Sequence, residues 1–143
     1  MTIKQLSVFA ENKKGTVLYA AEALKAAHVD IRAMSIADTR DFGILRLIVD
    51  DCEKAYEELR SRDCVVSITD VIGVEVPDTP GGLCNVLELL ADNDINIEYI
   101  YAFITISGKH AYVVIRVSDN DKASEVLISN GIKLVSEEDV KAL

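Results

Sequence analysis

The fold of this chain is decided by the stretch Val76-Pro77-Asp78-Thr79-Pro80-Gly81-Gly82-Leu83. An alternating apolar run, which predicts a strand, precedes it, and the run that follows has helical spacing, at Leu83, Val86, Leu87 and Leu90. A proline followed by two glycines at a helix start leaves several backbone N–H groups without an intrahelical partner. Because aligned peptide dipoles also place partial positive charge there, this turn favours an anion such as a carboxylate.

The same junction occurs earlier in the chain, as Ala10-Glu11-Asn12-Lys13-Lys14-Gly15-Thr16-Val17. A displacement of 66 residues aligns Gly15 with Gly81, and one of 68 residues aligns Asp51 with Asp119. The change of 2 falls in the second hairpin, which is longer. Since the matched identities include helix-cap and charged positions, the sequence predicts two copies of one unit, residues 1–70 and 71–143.

Each copy has the element order strand, helix, strand, strand, helix, strand. In the first copy the pattern predicts strands at 3–10, 31–37, 43–49 and 65–68, and helices at 15–28 and 51–62. The turn-forming residues Asp38-Thr39-Arg40-Asp41 join the second strand to the third. With right-handed crossovers, this order gives a ferredoxin-like βαββαβ unit with two helices on one face of an antiparallel sheet. A serine cap and early acids at 136–143 predict a short closing helix.

The second strand is apolar in both copies, at Ile31–Ala37 and at Ile97–Ile104. An exposed apolar edge strand would invite aggregation. The sequence therefore predicts that the two second strands pair, which docks the units side by side. The fold class is α+β, an eight-stranded antiparallel sheet with four helices on one face. No Pro/Gly/Ser linker separates the halves, so rigid docking is expected.

The composition of the chain disfavours several classes of partner and functional site. The 143 residues carry 15 Lys and Arg against 24 Asp and Glu, a net charge of −9, which disfavours nucleic acid and anionic lipid as partners. No apolar run reaches the roughly 20 residues that span a bilayer, and no secretion signal is evident, so we expect a cytoplasmic protein. Three separated cysteines and two isolated histidines predict no disulfide framework, metal site or catalytic triad. Nucleotide-binding glycine loops are absent, so no cofactor is expected.

The turn at 78–83, its helix and the following Ala91-Asp92-Asn93-Asp94-Ile95-Asn96-Ile97 together resemble the signature of ACT domains, the small-molecule regulatory modules of amino-acid biosynthetic enzymes. The first copy is similar through Asn12-Lys13-Lys14-Gly15 and Ala27-His28-Val29-Asp30-Ile31, with Lys14 where the family usually has proline. The resemblance covers nearly the whole chain and implies a stand-alone tandem ACT protein. It also implies a free amino acid bound between paired domains, by the first loop of one and the second strand of the other.

The residues themselves give a compatible picture. Backbone N–H groups at the glycine turns would hold an α-carboxylate, and Asn12 or Asp78 would accept from an α-ammonium, although both are also ordinary helix-capping types. Second-strand residues would line the side-chain pocket. The predicted ligand-binding residues are Asn12, Lys14, Gly15, Thr16, Val17, Ser35, Ile36, Ala37, Asp78, Pro80, Gly81, Gly82, Leu83, Tyr101, Ala102 and Phe103.

The predicted function is a non-catalytic amino-acid sensor that acts on a target biosynthetic enzyme. A homodimer is expected, because one sheet face is left uncovered by helices. Two alternatives stay open. One is a small enzyme on the same scaffold that uses a hidden carboxylate pair such as Glu75 and Asp78. The other is a structural subunit whose loops bind nothing.

Overall fold

The computed structural model describes residues 1–38 and 41–143, with Asp38 and Phe42 described by their backbone alone. Thr39 and Arg40, the centre of the predicted turn, lie outside the described residues. The elements are β1 Ile3–Glu11, α1 Thr16–Ala26, β2 Ile31–Asp38, β3 Phe42–Val49, α2 Cys52–Ser61, β4 Val66–Pro77, α3 Gly82–Asp92, β5 Ile97–Ala102, β6 His110–Val117, α4 Asn120–Ser129, β7 Leu134–Val135 and α5 Glu137–Ala142. The predicted element order is confirmed except where the two copies meet, where one strand replaces two.

The chain divides into two compact units. The N-terminal unit comprises Lys4–Thr69 and Val140–Leu143, and the C-terminal unit comprises Asp70–Asp139 and Met1–Ile3. Residues 1–3 therefore belong to the C-terminal unit and residues 140–143 to the N-terminal unit, although each segment adjoins the other unit in sequence. Within the C-terminal unit, the Met1 ammonium donates to Ser124 Oγ at 3.2 Å, which ties the chain start to α4.

The N-terminal unit buries one face of its sheet beneath its two helices. Its strands pair antiparallel in the order β2-β3-β1, and β4 follows β1. In β1, every second residue from Leu6 to Ala10 is buried, as the alternation predicts, and Leu6 pairs with Leu47. The core beneath the helices contains Leu6, Val8, Ala20, Ala23, Leu24, Ala27, Val29, Leu45, Leu47, Val49, Ala55 and Leu59.

The C-terminal unit repeats this arrangement. Its strands pair in the order β5-β6-β4, and the short β7 also pairs with β4. Its core contains Ile72, Val74, Val76, Val86, Leu90, Ile95, Val113, Ile115, Val117, Ala123, Leu127 and Leu134. Each fully buried leucine or isoleucine contributes about 1.5–3 kcal/mol relative to an exposed one, so both units have a core of their own.

The predicted helix caps are confirmed. The Asp51 carboxylate accepts from the backbone N–H of Lys54 at 3.1 Å, and its repeat partner Asp119 accepts from that of Lys122 at 3.0 Å. At the closing helix, Ser136 Oγ accepts from the Asp139 N–H at 3.1 Å, while Asp139 Oδ2 accepts from the Ser136 N–H at 2.8 Å. The Ser136 N–H and the Ser136 hydroxyl both donate to Asp139 Oδ2 and hold the pKa of Asp139 below its usual value.

The predicted strand count and strand pairing are wrong. The described strands number seven, because β4 is one continuous strand of 12 residues that supplies both the last strand of the first repeat and the first strand of the second. No proline or glycine interrupts 66–72, so nothing breaks the strand at the repeat boundary. The two second strands, β2 and β5, do not pair: their neighbours are β3 and β6.

Candidate functional site

The first glycine turn connects β1 to α1. Gly15 is the N-cap of α1 and has φ +89° and ψ −7°, a left-handed conformation that glycine adopts without the Cβ penalty of other residues. The N-cap residue Gly15 makes no side-chain cap hydrogen bond. Asn12, Lys14 and Gly15 are exposed, and Thr16 and Val17 are half-buried. The sequence thus places an accessible loop at the start of this helix.

Some hydrogen-bond donors of this turn are already used. The Thr16 N–H donates to the Lys13 carbonyl at 3.4 Å, and the Thr16 hydroxyl donates to the same oxygen at 3.1 Å. Lys13 Nζ forms an exposed ion pair with Glu11 at 2.7 Å, and this contact lowers the pKa of Glu11. A carboxylate bound by Thr16 would therefore have to displace the Lys13 carbonyl, and the Lys14 ammonium is a further side-chain donor at this turn.

A small groove joins this turn to β2 of the same unit. Its volume is about 70 Å³, and its walls include Asn12, Thr16, Val17 and Ile36. Ser35 and Ala37 do not line it, because side chains alternate along a strand and these two lie on the other sheet face from Ile36. Since liquid water takes about 30 Å³ per molecule, the groove holds about two waters.

Two larger cavities border the same turn. A shallow one of about 310 Å³ is lined by Lys13, Lys14, Gly15, Thr16 and Tyr19. A deeper one of about 510 Å³ lies between β1, α1 and the segment 62–65, and we call it the ring cavity. It is lined by Val8, Phe9, Ala10, Glu11, Lys13, Thr16, Tyr19, Ala20, Leu45, Arg62, Asp63, Cys64 and Val65. Lys13 and Thr16 contribute to all three spaces.

The second glycine turn repeats the backbone of the first. Gly81 is the N-cap of α3 with φ +84°, again without a side-chain cap bond, so Asp78 does not cap this helix. The Gly82 N–H donates to the Thr79 carbonyl at 3.0 Å, so it is already used within the turn. A Cβ on Gly82 would overlap the Pro77 carbonyl oxygen, which shows how closely the helix start approaches the strand end. Asp78 and Pro80 are exposed.

The remaining predicted residues of the C-terminal unit lie mostly in packed positions. Leu83 packs against the core. The Tyr101 ring stacks on Tyr99, with centroids 6.4 Å apart, and buried Phe103 meets Tyr112 edge to face at 6.3 Å. Ala102 is exposed. Tyr101 and Phe103 therefore form an aromatic wall at β5, while Ala102 lies on the other face.

Glu75, one of the two carboxylates considered for an enzyme, is in contact with basic side chains. Glu75 Oε2 forms an ion pair with Lys133 Nζ at 2.7 Å, and this contact raises the pKa of Lys133. His110 Nε2 lies 3.6 Å from the other oxygen of Glu75. In residues 1–38 and 41–143, no group of three or more His, Cys, Asp or Glu side chains could hold a metal ion.

Of the residues that line the ring cavity, the sequence predicted only Thr16 as ligand-binding, and those missed include Phe9, Tyr19 and Cys64. Phe9 and Tyr19 are each 47 % exposed, and Cys64 is half-buried. The sequence offers a signal for Phe9, because it is a large aromatic residue on the face of β1 that carries the polar residues Ser7 and Glu11 on either side of it. Tyr19 gave no such signal, because it fits an exposed helix position. Cys64 gave none either, because it lies 45 residues further along the chain than Tyr19.

A family model described as an ACT domain pair matches residues 1–143. This chain belongs to the ACT domain pair family. The crystal structure of protein BT0572 from Bacteroides thetaiotaomicron is similar to this ACT domain pair at 41% sequence identity and a TM-score of 0.93, covering 100% of this chain and 98% of that one.

More distant structures share the fold. The ligand-free regulatory subunit of aspartate kinase from Thermus thermophilus has 15% identity and a TM-score of 0.62, covering 88% of this ACT domain pair and 90% of that chain. The corresponding subunit from Thermus flavus has 16% identity and a TM-score of 0.61, covering 88% of each chain. No curated protein matches the sequence significantly. Among the described residues, no helix is long and apolar enough to cross a membrane.

Proposed function

We propose that this ACT domain pair is a non-catalytic regulatory protein that binds a free amino acid at its glycine turns and acts on a target biosynthetic enzyme. The observation that carries the proposal is the first turn, whose accessible loop borders three cavities in the N-terminal unit. The fold shared with aspartate kinase regulatory subunits supports a regulatory role, as does the family itself.

The binding chemistry follows from the turn. The Lys14 ammonium and the Thr16 hydroxyl supply donors for an α-carboxylate, and the Asn12 side-chain oxygen supplies an acceptor for the α-ammonium. Charge-assisted bonds of this kind are stronger than bonds between neutral groups. In the C-terminal unit the corresponding acceptor is Asp78, next to Gly81. A ligand bound more tightly by one conformation than by another shifts their populations, which is what regulation requires.

Two further features belong to the proposal. We place the protein in the cytoplasm, since its cysteines are free in the structure and a reducing compartment keeps them so. We also propose a homodimer. In the N-terminal unit, Phe9 and Ile44 pair across β1 and β3 on the sheet face away from the core, and they remain 47 % and 39 % exposed. Light scattering coupled to size exclusion tests the dimer, and a monomer at all concentrations would contradict it.

Thermal-shift measurements with each common amino acid test the function. One selective amino acid at about a hundred times its dissociation constant should stabilise the protein by about 2.7 kcal/mol. Lys14→Gln should then weaken binding about twofold to fivefold in calorimetry, the range of an exposed ion pair. Lys25→Gln, at the other end of α1, is the matched control, because it changes the net charge equally. If none of the amino acids stabilises the protein, the function is wrong, and turnover of a different substrate would favour the enzyme alternative.

A further inference from the structure

We propose that the ring cavity receives the side chain of the bound amino acid, and so selects a large apolar or aromatic one. This inference rests on the proposed function, but it moves the side-chain pocket from β2, where the sequence predicted it, to the other side of the glycine turn. The space available decides between the two positions. The groove at Ile36 measures about 70 Å³, whereas the ring cavity measures about 510 Å³, within the roughly 300–1,000 Å³ of small-molecule sites.

The cavity walls suit an apolar group. Tyr19 lines it with a ring that is about half exposed, Phe9 borders it, and buried Ala10 and Ala20 line it with small side chains. Aromatic rings gain most from stacking or edge contacts with another large apolar group. An apolar side chain between these residues would cover surface that water now contacts.

The charges at the rim do not favour an ionic side chain. Lys13 is paired with Glu11, and Arg62 Nε is paired with Glu58, each at 2.7 Å. Asp63 also lines the cavity, so its charged residues are two acids and two bases. An acidic ligand side chain would therefore have to displace an existing ion pair or meet a like charge, and a basic one would have Asp63 as its remaining partner. An apolar side chain has neither cost.

The ring cavity lies next to the glycine turn, and two of its walls are joined by a hydrogen bond. Lys13 and Thr16 line both the turn and the ring cavity, so a zwitterion held at the turn is within reach of the cavity. The Tyr19 hydroxyl donates to the Arg62 carbonyl at 3.0 Å, which joins two walls of the cavity before any ligand arrives. A wall ordered in advance spares the ligand the cost of ordering it.

Two variants of one residue separate the ring from its hydrogen bond. With L-phenylalanine and L-leucine as probes, Tyr19→Ala should weaken binding about tenfold through loss of the ring contact. Tyr19→Phe keeps the ring and loses only the pre-ordering bond to Arg62, so it should weaken binding only about twofold. Thermal denaturation of each variant without ligand checks that it is folded. L-Alanine and L-aspartate are the comparison probes, and both should bind more weakly than L-phenylalanine or L-leucine.

Cys64 provides an independent readout, because its thiol lies in the cavity wall. Its alkylation at fixed alkaline pH, followed by peptide mass spectrometry, should slow at saturating L-phenylalanine or L-leucine. Cys52 does not line the cavity and should react at an unchanged rate. Protection of Cys64 together with the Tyr19→Ala loss supports the inference.

Each other outcome overturns it. If an amino acid binds but Cys64 is not protected and Tyr19→Ala binds normally, the inference is wrong and the proposed function stands. Tighter binding of L-alanine or L-aspartate than of the two larger probes leads to the same conclusion. If no amino acid binds at all, the proposed function is wrong, and this inference with it.

Discussion

Gly82→Ala should destabilise the protein strongly, although the alanine would stand at the first residue of a helix. Its Cβ would overlap the Pro77 carbonyl oxygen and come within 3.2 Å of the Pro77 carbonyl carbon. Both are backbone atoms, so a rotamer change cannot relieve the contact. Overpacking of this kind costs about 1–3 kcal/mol. The helix preference of alanine returns at most about 1 kcal/mol. We expect a net loss of about 2 kcal/mol in the free energy of unfolding.

The neighbouring glycine supplies a comparison with a different cause. A Cβ on Gly81 would meet nothing within 4 Å, but its φ of +84° is left-handed. Gly81→Ala should therefore lose about 1–2 kcal/mol through backbone strain alone. Asparagine tolerates this conformation better, so Gly81→Asn should lose less than Gly81→Ala, whereas Gly82→Asn should be no better than Gly82→Ala. Gly108→Ala has open space and should stay within about 0.5 kcal/mol.

Urea unfolding followed by far-ultraviolet circular dichroism measures these changes, since the chain has no tryptophan to report by fluorescence. The slope of the transition should be unchanged, so that a shifted midpoint reports stability. If Gly82→Ala unfolds at the wild-type midpoint, the close approach of helix and strand does not require glycine. Partial rescue by asparagine at residue 82 would also refute the steric explanation.

Three further predictions concern other sites. Asp119→Ala removes the acceptor of the Lys122 N–H and should cost about 1 kcal/mol in urea unfolding; an unchanged midpoint would contradict the cap. The pKa of Asp139 is lowered in the folded state, so the ionised carboxylate stabilises the fold at neutral pH, and this stabilisation is lost as pH falls below the usual pKa of 3.8. Asp139→Asn should therefore make the free energy of unfolding less dependent on pH in the acid range. An unchanged acid dependence would contradict this prediction. Glu88 accepts from the Cys84 thiol and raises its pKa, so Glu88→Gln should speed Cys84 alkylation at neutral pH, whereas equal rates would refute the contact.

Local sequence patterns determined the repeat, the element order and the caps. Alternation along β1 and helical spacing along α1 depend on residues within one or two turns, so they can be recognised without knowing the fold. The two left-handed glycines were predictable in the same way, because Gly15 and Gly81 occupy equivalent turns. Asp51 was a predictable cap for the same reason.

Tertiary structure alone decided strand pairing and the position of the largest space beside the turn. Backbone hydrogen bonds can form between any two strands whatever their side chains. An apolar edge strand therefore indicates that it must be covered, but not which strand or surface covers it. The two repeats share β4 because no local signal stops the strand at their boundary. The ring cavity brings Phe9, Tyr19 and Cys64 together across three elements. A cavity of this kind depends on how far apart packed elements stand, which no single stretch of sequence specifies.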